Sequence, residues 1–135
     1  MKRFTIRLAA FALAAAVVYS SSCGRSYKAA NADEIIALLS ESGVEVSGEY
    51  SDKTVTVPEE FGEVYERYNK LQREQGFDLY DYRSREATVY TFEVISVRGE
   101  GAPGTQAHVM ICDGKVIAGD IASPAIDGAM KPLFE

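Results

Sequence analysis

The sequence predicts one α+β domain: a mainly antiparallel sheet of four to five strands with two helices on one face, in the order α-β-β-α-β-β-β. Three observations carry this. Residues 31–42 and 59–75 place apolar side chains at helical spacing, whereas 44–57 and 86–121 alternate with period two or are dense in β-branched and aromatic residues. Asp113-Gly114 stands between two such runs, and that dipeptide suits a tight hairpin because both positions of a type I′ turn need positive φ. The chain has 135 residues, 47 % of them hydrophobic, which bounds it to one domain with a modest core.

The chain opens with Lys2, Arg3 and Arg7, with no acid before Cys23, then runs apolar from Leu8 to Tyr19 and reaches Ser20-Ser21-Ser22-Cys23-Gly24. This is the layout of an export signal, with an apolar stretch too short for the roughly 20 residues of a membrane-crossing helix. Residues 1–22 are therefore read as a signal peptide and 23–30 as a tether. Ser21, Ser22 and Gly24 fit a lipobox around Cys23, although Ser20 stands where a large aliphatic residue is usual. Lipidation of Cys23 would place the protein on the outer side of the cell membrane, anchored by acyl chains. Cleavage by an ordinary signal peptidase, or an uncleaved anchor, is the other reading.

The domain is assigned to residues 31–133. Asn31 lies three residues before Glu34, a capping-box spacing, and Ile35, Leu38 and Leu39 form the buried stripe of a helix that Gly43 ends. Val44–Val46 and Thr54–Val57 read as two strands turned by Ser51-Asp52-Lys53, and Pro58 stops the second. From Glu59 to Gln75, the residues Phe61, Val64, Tyr65, Tyr68 and Leu71 recur along one helical face, and Gly76 closes that helix. Gln72 and Gln75 fall inside this apolar arc, where they either bond backbone groups at a sheet edge or face a ligand. Strands follow over Glu86–Val97, Thr105–Cys112 and Lys115–Ile121. The expected core is Ile35, Leu39, Phe61, Val64, Tyr68, Leu71, Val109, Ile111 and Ile117.

Charge narrows the partners. Removing residues 1–22 takes three of 14 basic side chains and none of 20 acidic ones, leaving a formal charge of −9. Such a chain does not attract nucleic acid, and membrane attachment has to come from the N-terminus. Two cysteines make no disulfide framework, and one histidine with two cysteines makes no structural zinc site. No metal and no cofactor are expected. Gly99-Glu100-Gly101-Ala102-Pro103-Gly104 spells a dinucleotide fingerprint, but it joins two strands, lacks a donor at Pro103 and carries an acid at Glu100, so no nucleotide is expected. His108 shares a strand face with Gln106, Met110 and Cys112, too far from the thiol for a direct hydrogen bond. No catalytic residue is assigned.

The segment Gly76–Arg85 is neither helical nor alternating and gathers three aromatics, two acids and two arginines. Recognition surfaces use that mixture. Asp78, Tyr80, Tyr82 and Arg83 are the candidate binding residues there, with Gln72 and Gln75 as a second, cleft-facing pair.

Val57-Pro58-x-x-Phe61, Tyr68-Asn69-x-Leu71-Gln72 and Gln75-Gly76-Phe77-Asp78-Leu79 together resemble one bacterial family, catalogued as domain of unknown function 4830. So do Tyr90-Thr91-Phe92 and Val116-Ile117-x-Gly119-Asp120-Ile121, and the likeness runs over about residues 34–130. It implies a small protein with one N-terminal hydrophobic segment and supplies no reaction. Two departures are Val44, where the family often has Trp, and Lys131-Pro132-Leu133, where it tends to end in a His-Gly-Leu-like tail. The first expectation for function is a membrane-anchored, extracytoplasmic module that binds a protein partner. Alternatives are a binder of small ligands or cell-wall fragments near Gln72 and Gln75, or a hydrolase using Asp78, Asp120 or Asp127.

Overall fold

The computed structural model describes residues 26–123 and 130–134. The segment read as a signal peptide, Cys23 and Asp127 lie outside the described residues. Helix α1 spans Ala32–Glu41. Asn31 caps it, its Oδ1 accepting from the Glu34 N–H at 3.0 Å. Glu34 returns the bond to the Ala30 N–H at 2.7 Å, one residue before the usual position of a capping box. Gly43, at φ +88°, lets the chain leave the helix toward the sheet.

Strand β1, Val44–Thr56, replaces the two expected strands and their hairpin. Ser51, Asp52 and Lys53 stay extended because they pair with Thr91, Tyr90 and Val89 of β2, Glu86–Val97. The irregularity lies earlier, in register shifts between Glu45 and Tyr50 where Gly48 takes φ +91°. β3 (Glu100–Gly101), β4 (Gln106–Cys112), β5 (Lys115–Ala122) and β6 (Met130–Pro132) complete the sheet. Among the described residues the sheet has six strands, paired antiparallel in the order β1-β2-β4-β5-β6 with β3 against the end of β2. Asp113 and Gly114 both have positive φ, 52° and 75°, as the tight turn between β4 and β5 requires. The fingerprint-like glycine loop does join β2 to β4.

Strand alternation divides the core in two. Ala107, Val109 and Ile111 point to the face covered by Ile35 and Leu39 of α1, with Phe92, Val94 and Phe134. Met110 and Cys112 point the other way, to a cluster with Leu79, Ile117 and Ala118 that is flanked by Phe61, Tyr65 and Tyr68. The helices therefore lie on opposite faces of the sheet instead of sharing one. Ile35 and Leu39 are fully buried, worth about 1.5–3 kcal/mol each.

Helix α2 covers Glu63–Glu74, starting after Gly62 and not at Glu59. Its inward residues are polar: Asn69 and Gln72 are fully buried, Leu71 is half-buried and Val64 is 74 % exposed. The expected apolar stripe is thus turned partly outward. Residues 27–29, read as tether, belong to the fold: the Ala29 N–H donates to the Gly114 carbonyl at 3.1 Å and the Val116 N–H to the Tyr27 carbonyl at 2.9 Å. Tyr27 stacks on Phe134, one residue beyond the expected end of the domain, at 4.5 Å between ring centroids. On the far side, β1 is an outer strand whose Glu45, Glu49, Asp52 and Lys53 are all exposed.

Candidate functional site

The loop after α2 is built from a few short hydrogen bonds. Asn69, buried on the helix, accepts from the Leu79 N–H at 2.7 Å and donates to Asp78 Oδ1 at 2.9 Å. The same oxygen of Asp78 accepts from the Tyr80 N–H, which caps the 3-10 turn Leu79–Tyr82. Leu79 is fully buried, so the turn is pinned from below. Above it Tyr80 is 41 % exposed, its ring stacked on Phe61 at 4.8 Å. Arg83 donates from Nε to the Tyr80 carbonyl at 3.0 Å and sets its guanidinium 4.7 Å from the Tyr80 ring centroid. Tyr80 and Arg83 are thereby held together at the surface in one geometry.

The other candidates divide differently. Tyr82 is half-buried and packs toward the second core cluster, with Arg85 over its ring at 5.7 Å and Arg85 paired to Asp113. Asp78 is committed to the cap. The cleft expected at Gln72 and Gln75 is closed. Gln72 Oε1 accepts from the Gly119 N–H at 2.9 Å, and Gln75 donates to the Gly119 carbonyl at 2.8 Å. Gln75 Oε1 also accepts from the Leu133 and Phe134 N–H groups, both at 2.9 Å. Both glutamines thus bond backbone groups at the β5 edge and in the tail. Gln72 Nε2 is buried with no hydrogen-bond partner among the described residues, and flipping the amide would set two donors face to face at Gly119.

A second constellation was not foreseen. His108 Nδ1 lies 2.9 Å from Asp120 Oδ2, and the Tyr68 hydroxyl donates to Asp120 Oδ1 at 3.1 Å. Asp120 is buried, while the His108 side chain keeps 25 % exposure. Burial and the neighbouring Asp120 carboxylate push the Tyr68 phenol well above its ordinary range, and burial raises Tyr65 too. The buried carboxylate holds the ring at Nδ1, and Nε2 makes no hydrogen bond to a described residue. Asp120 is thus the one hydrogen-bond partner of His108 among the described residues, so no hydroxyl or thiol is aligned as a nucleophile there. With Asp78 capping and Asp120 shared between Tyr68 and His108, both described acids of the hydrolase alternative are engaged within the fold.

The family model described as Domain of unknown function (DUF4830) matches residues 38–121, more than half of the chain. The chain belongs to that family. The matched stretch of this DUF4830 domain holds Asn69, Gln72, Gln75, Asp78 and the turn to Arg83, so the hydrogen bonds that fasten the loop lie inside the family's own boundaries. No curated protein and no solved structure matches the chain.

Proposed function

We propose that this DUF4830 domain is an extracytoplasmic binding module, held at the cell membrane through Cys23, that docks a protein partner on the Tyr80–Arg83 surface. The observation that carries the docking surface is the rigid exposed pair itself: an aromatic ring backed by Phe61 and an arginine pinned to the Tyr80 carbonyl. Aromatic and arginine side chains held in one conformation lose little entropy on binding, which is how anchor residues gain their weight. The membrane placement is supported by the charged, apolar and small-residue order of positions 1–24.

Crosslinking on intact bacterial cells tests both parts. Capture should be lost with Tyr80→Ala and with Arg83→Ala, each truncation costing about 1 kcal/mol or more of binding while stability stays within about 0.5 kcal/mol. Tyr82 is left unmutated because its half-buried ring packs against the second core cluster. A partner still captured by the double variant would refute this surface. A Cys23→Ala protein that still fractionated with membranes would refute the lipid anchor.

A further inference from the structure

We infer that the outer border of β1 takes up an extended, basic segment of another protein as one more antiparallel strand. Among the described residues β1 pairs with β2 alone, so alternate residues turn their backbone N–H and C=O groups outward. Residues 47–54 are exposed without a break, so no described residue covers the border or either side of it there. Tyr50–Thr56 pairs with β2 residue for residue over seven positions, with neither bulge nor proline. Proteins commonly blunt an outer strand of that regularity. The opposite border is closed with care: the Val116 N–H bonds Tyr27, Gln72 and Gln75 bond Gly119, and β6 pairs with Asp120–Ala122. Three devices thus close the border along the 8 residues of β5, while the 13 residues of β1 carry none beyond the irregularity near Gly48.

The side chains along the border set the chemistry of the partner. Tyr50, Asp52 and Thr54 stand opposite Phe92, Tyr90 and Thr88 and share one face with them. The Tyr50 ring is 49 % exposed and rests against Tyr90 at 5.8 Å and Phe92 at 5.7 Å between ring centroids. Asp52, also exposed, follows it on that face. A supported aromatic ring beside a carboxylate suits an ammonium or guanidinium, through cation–π attraction and charge together. Lys53 lies on the other face with Val55, where a cation would meet like charge. An added strand therefore needs Lys or Arg at every second residue with uncharged residues between, because strand side chains alternate. Glu45 and Glu49, both exposed, extend the acidic side of this balance along β1. Tyr80 and Arg83 belong to the turn before β2, so this border stands or falls apart from the proposed docking surface.

The test is fluorescence anisotropy of the full chain in non-ionic detergent, at about 50 mM salt, with the labelled and capped peptide Thr-Lys-Val-Lys-Val-Lys-Val-Thr. It should bind, and Thr-Lys-Lys-Lys-Val-Val-Val-Thr, of equal charge, should bind about tenfold more weakly. Methylating alternate backbone nitrogens of the first peptide should cost about tenfold or more for one set and little for the other, since only one set faces β1. Tyr50→Ala and Asp52→Asn should each weaken binding about threefold or more, and Lys53→Gln should not weaken it. All three replace exposed side chains, and an unchanged circular dichroism spectrum confirms that each variant folds. Absence of binding up to about 1 mM overturns the proposal. So do equal binding of the two lysine patterns, equal effects of the two methylated sets, or full binding by both the Tyr50 and Asp52 variants. Self-association in sedimentation that the peptide cannot displace would give the border to a second copy and overturn it as well.

Discussion

Gln75 ties three stretches of chain with one amide: it sits on the end of α2, donates to β5 at Gly119 and accepts from Leu133 and Phe134 in the tail. All of these groups are buried. Gln75→Leu keeps most of the volume but strands three backbone groups at about 1–3 kcal/mol each, so a loss of ~3 kcal/mol or more is expected from urea unfolding. Tyr68 acts on pH. Its raised phenol pKa means that the folded chain keeps the proton after the unfolded chain, with an ordinary value near 10, has released it. Stability carried by the Tyr68 hydroxyl is thus complete below about pH 10 and falls as pH climbs above it. Tyr68→Phe should unfold at lower urea at pH 8, by about 1–3 kcal/mol for the lost bond to Asp120, and the gap to the parent chain should narrow at pH 11. A gap of the same size at both pH values would show that the hydroxyl is not the source. The Asp120 contact itself was beyond sequence reasoning for a countable reason. A two-residue turn at Asp113-Gly114 sets Cys112 against Lys115, and continued without a break it would bring His108 opposite Gly119. One extra residue, at Ile117, moves the register so that His108 faces Asp120.

At the scale of elements, signals that depend on near neighbours were readable, and those that depend on distant pairing were not. The α1 cap, the β2 bounds and the hairpin at Asp113-Gly114 follow from chain-local chemistry, and all three appear as expected. Ser51-Asp52-Lys53 has turn composition, yet pairing along β2 outweighs it and the strand runs through. Helix α2 misled in a related way. Its apolar period is real, but the helix sits across a sheet edge whose unpaired backbone at Gly119 demands amide partners, so Gln72 and Gln75 turn inward and Val64 outward. Asn69 does the same for the loop that carries Tyr80 and Arg83. Removing it with Asn69→Ala should raise hydrogen exchange over residues 79–83 while leaving β4 protected, since the two lost bonds fasten the turn and not the sheet. Equal loss of protection in both places would mean that the turn and sheet open as one unit.

Across the whole molecule, the fold class was legible because alternation and helical spacing both survive in most elements, while the placement of the helices was not. Period alone says that Ile35 and Tyr68 are each on a buried stripe; it does not say which side of a sheet each stripe meets. The candidate surface was legible in composition, as aromatics and arginines crowded into residues 76–85, but only the fold separates Tyr80 and Arg83 at the surface from Tyr82 below it. The long outer strand β1 has a bearing on how the protein behaves in concentrated solution. Its exposed side chains include three acids and one lysine, so two molecules meeting along these borders bring mostly like charge together. Strands pair at about 4.8 Å, and mobile ions screen over ~10 Å at 0.1 M salt but only ~3 Å at 1 M. The guard against stacking of neighbouring molecules is therefore strong in dilute buffer and largely gone in brine, which makes precipitation by salt, before any unfolding, the expected failure of this chain in storage.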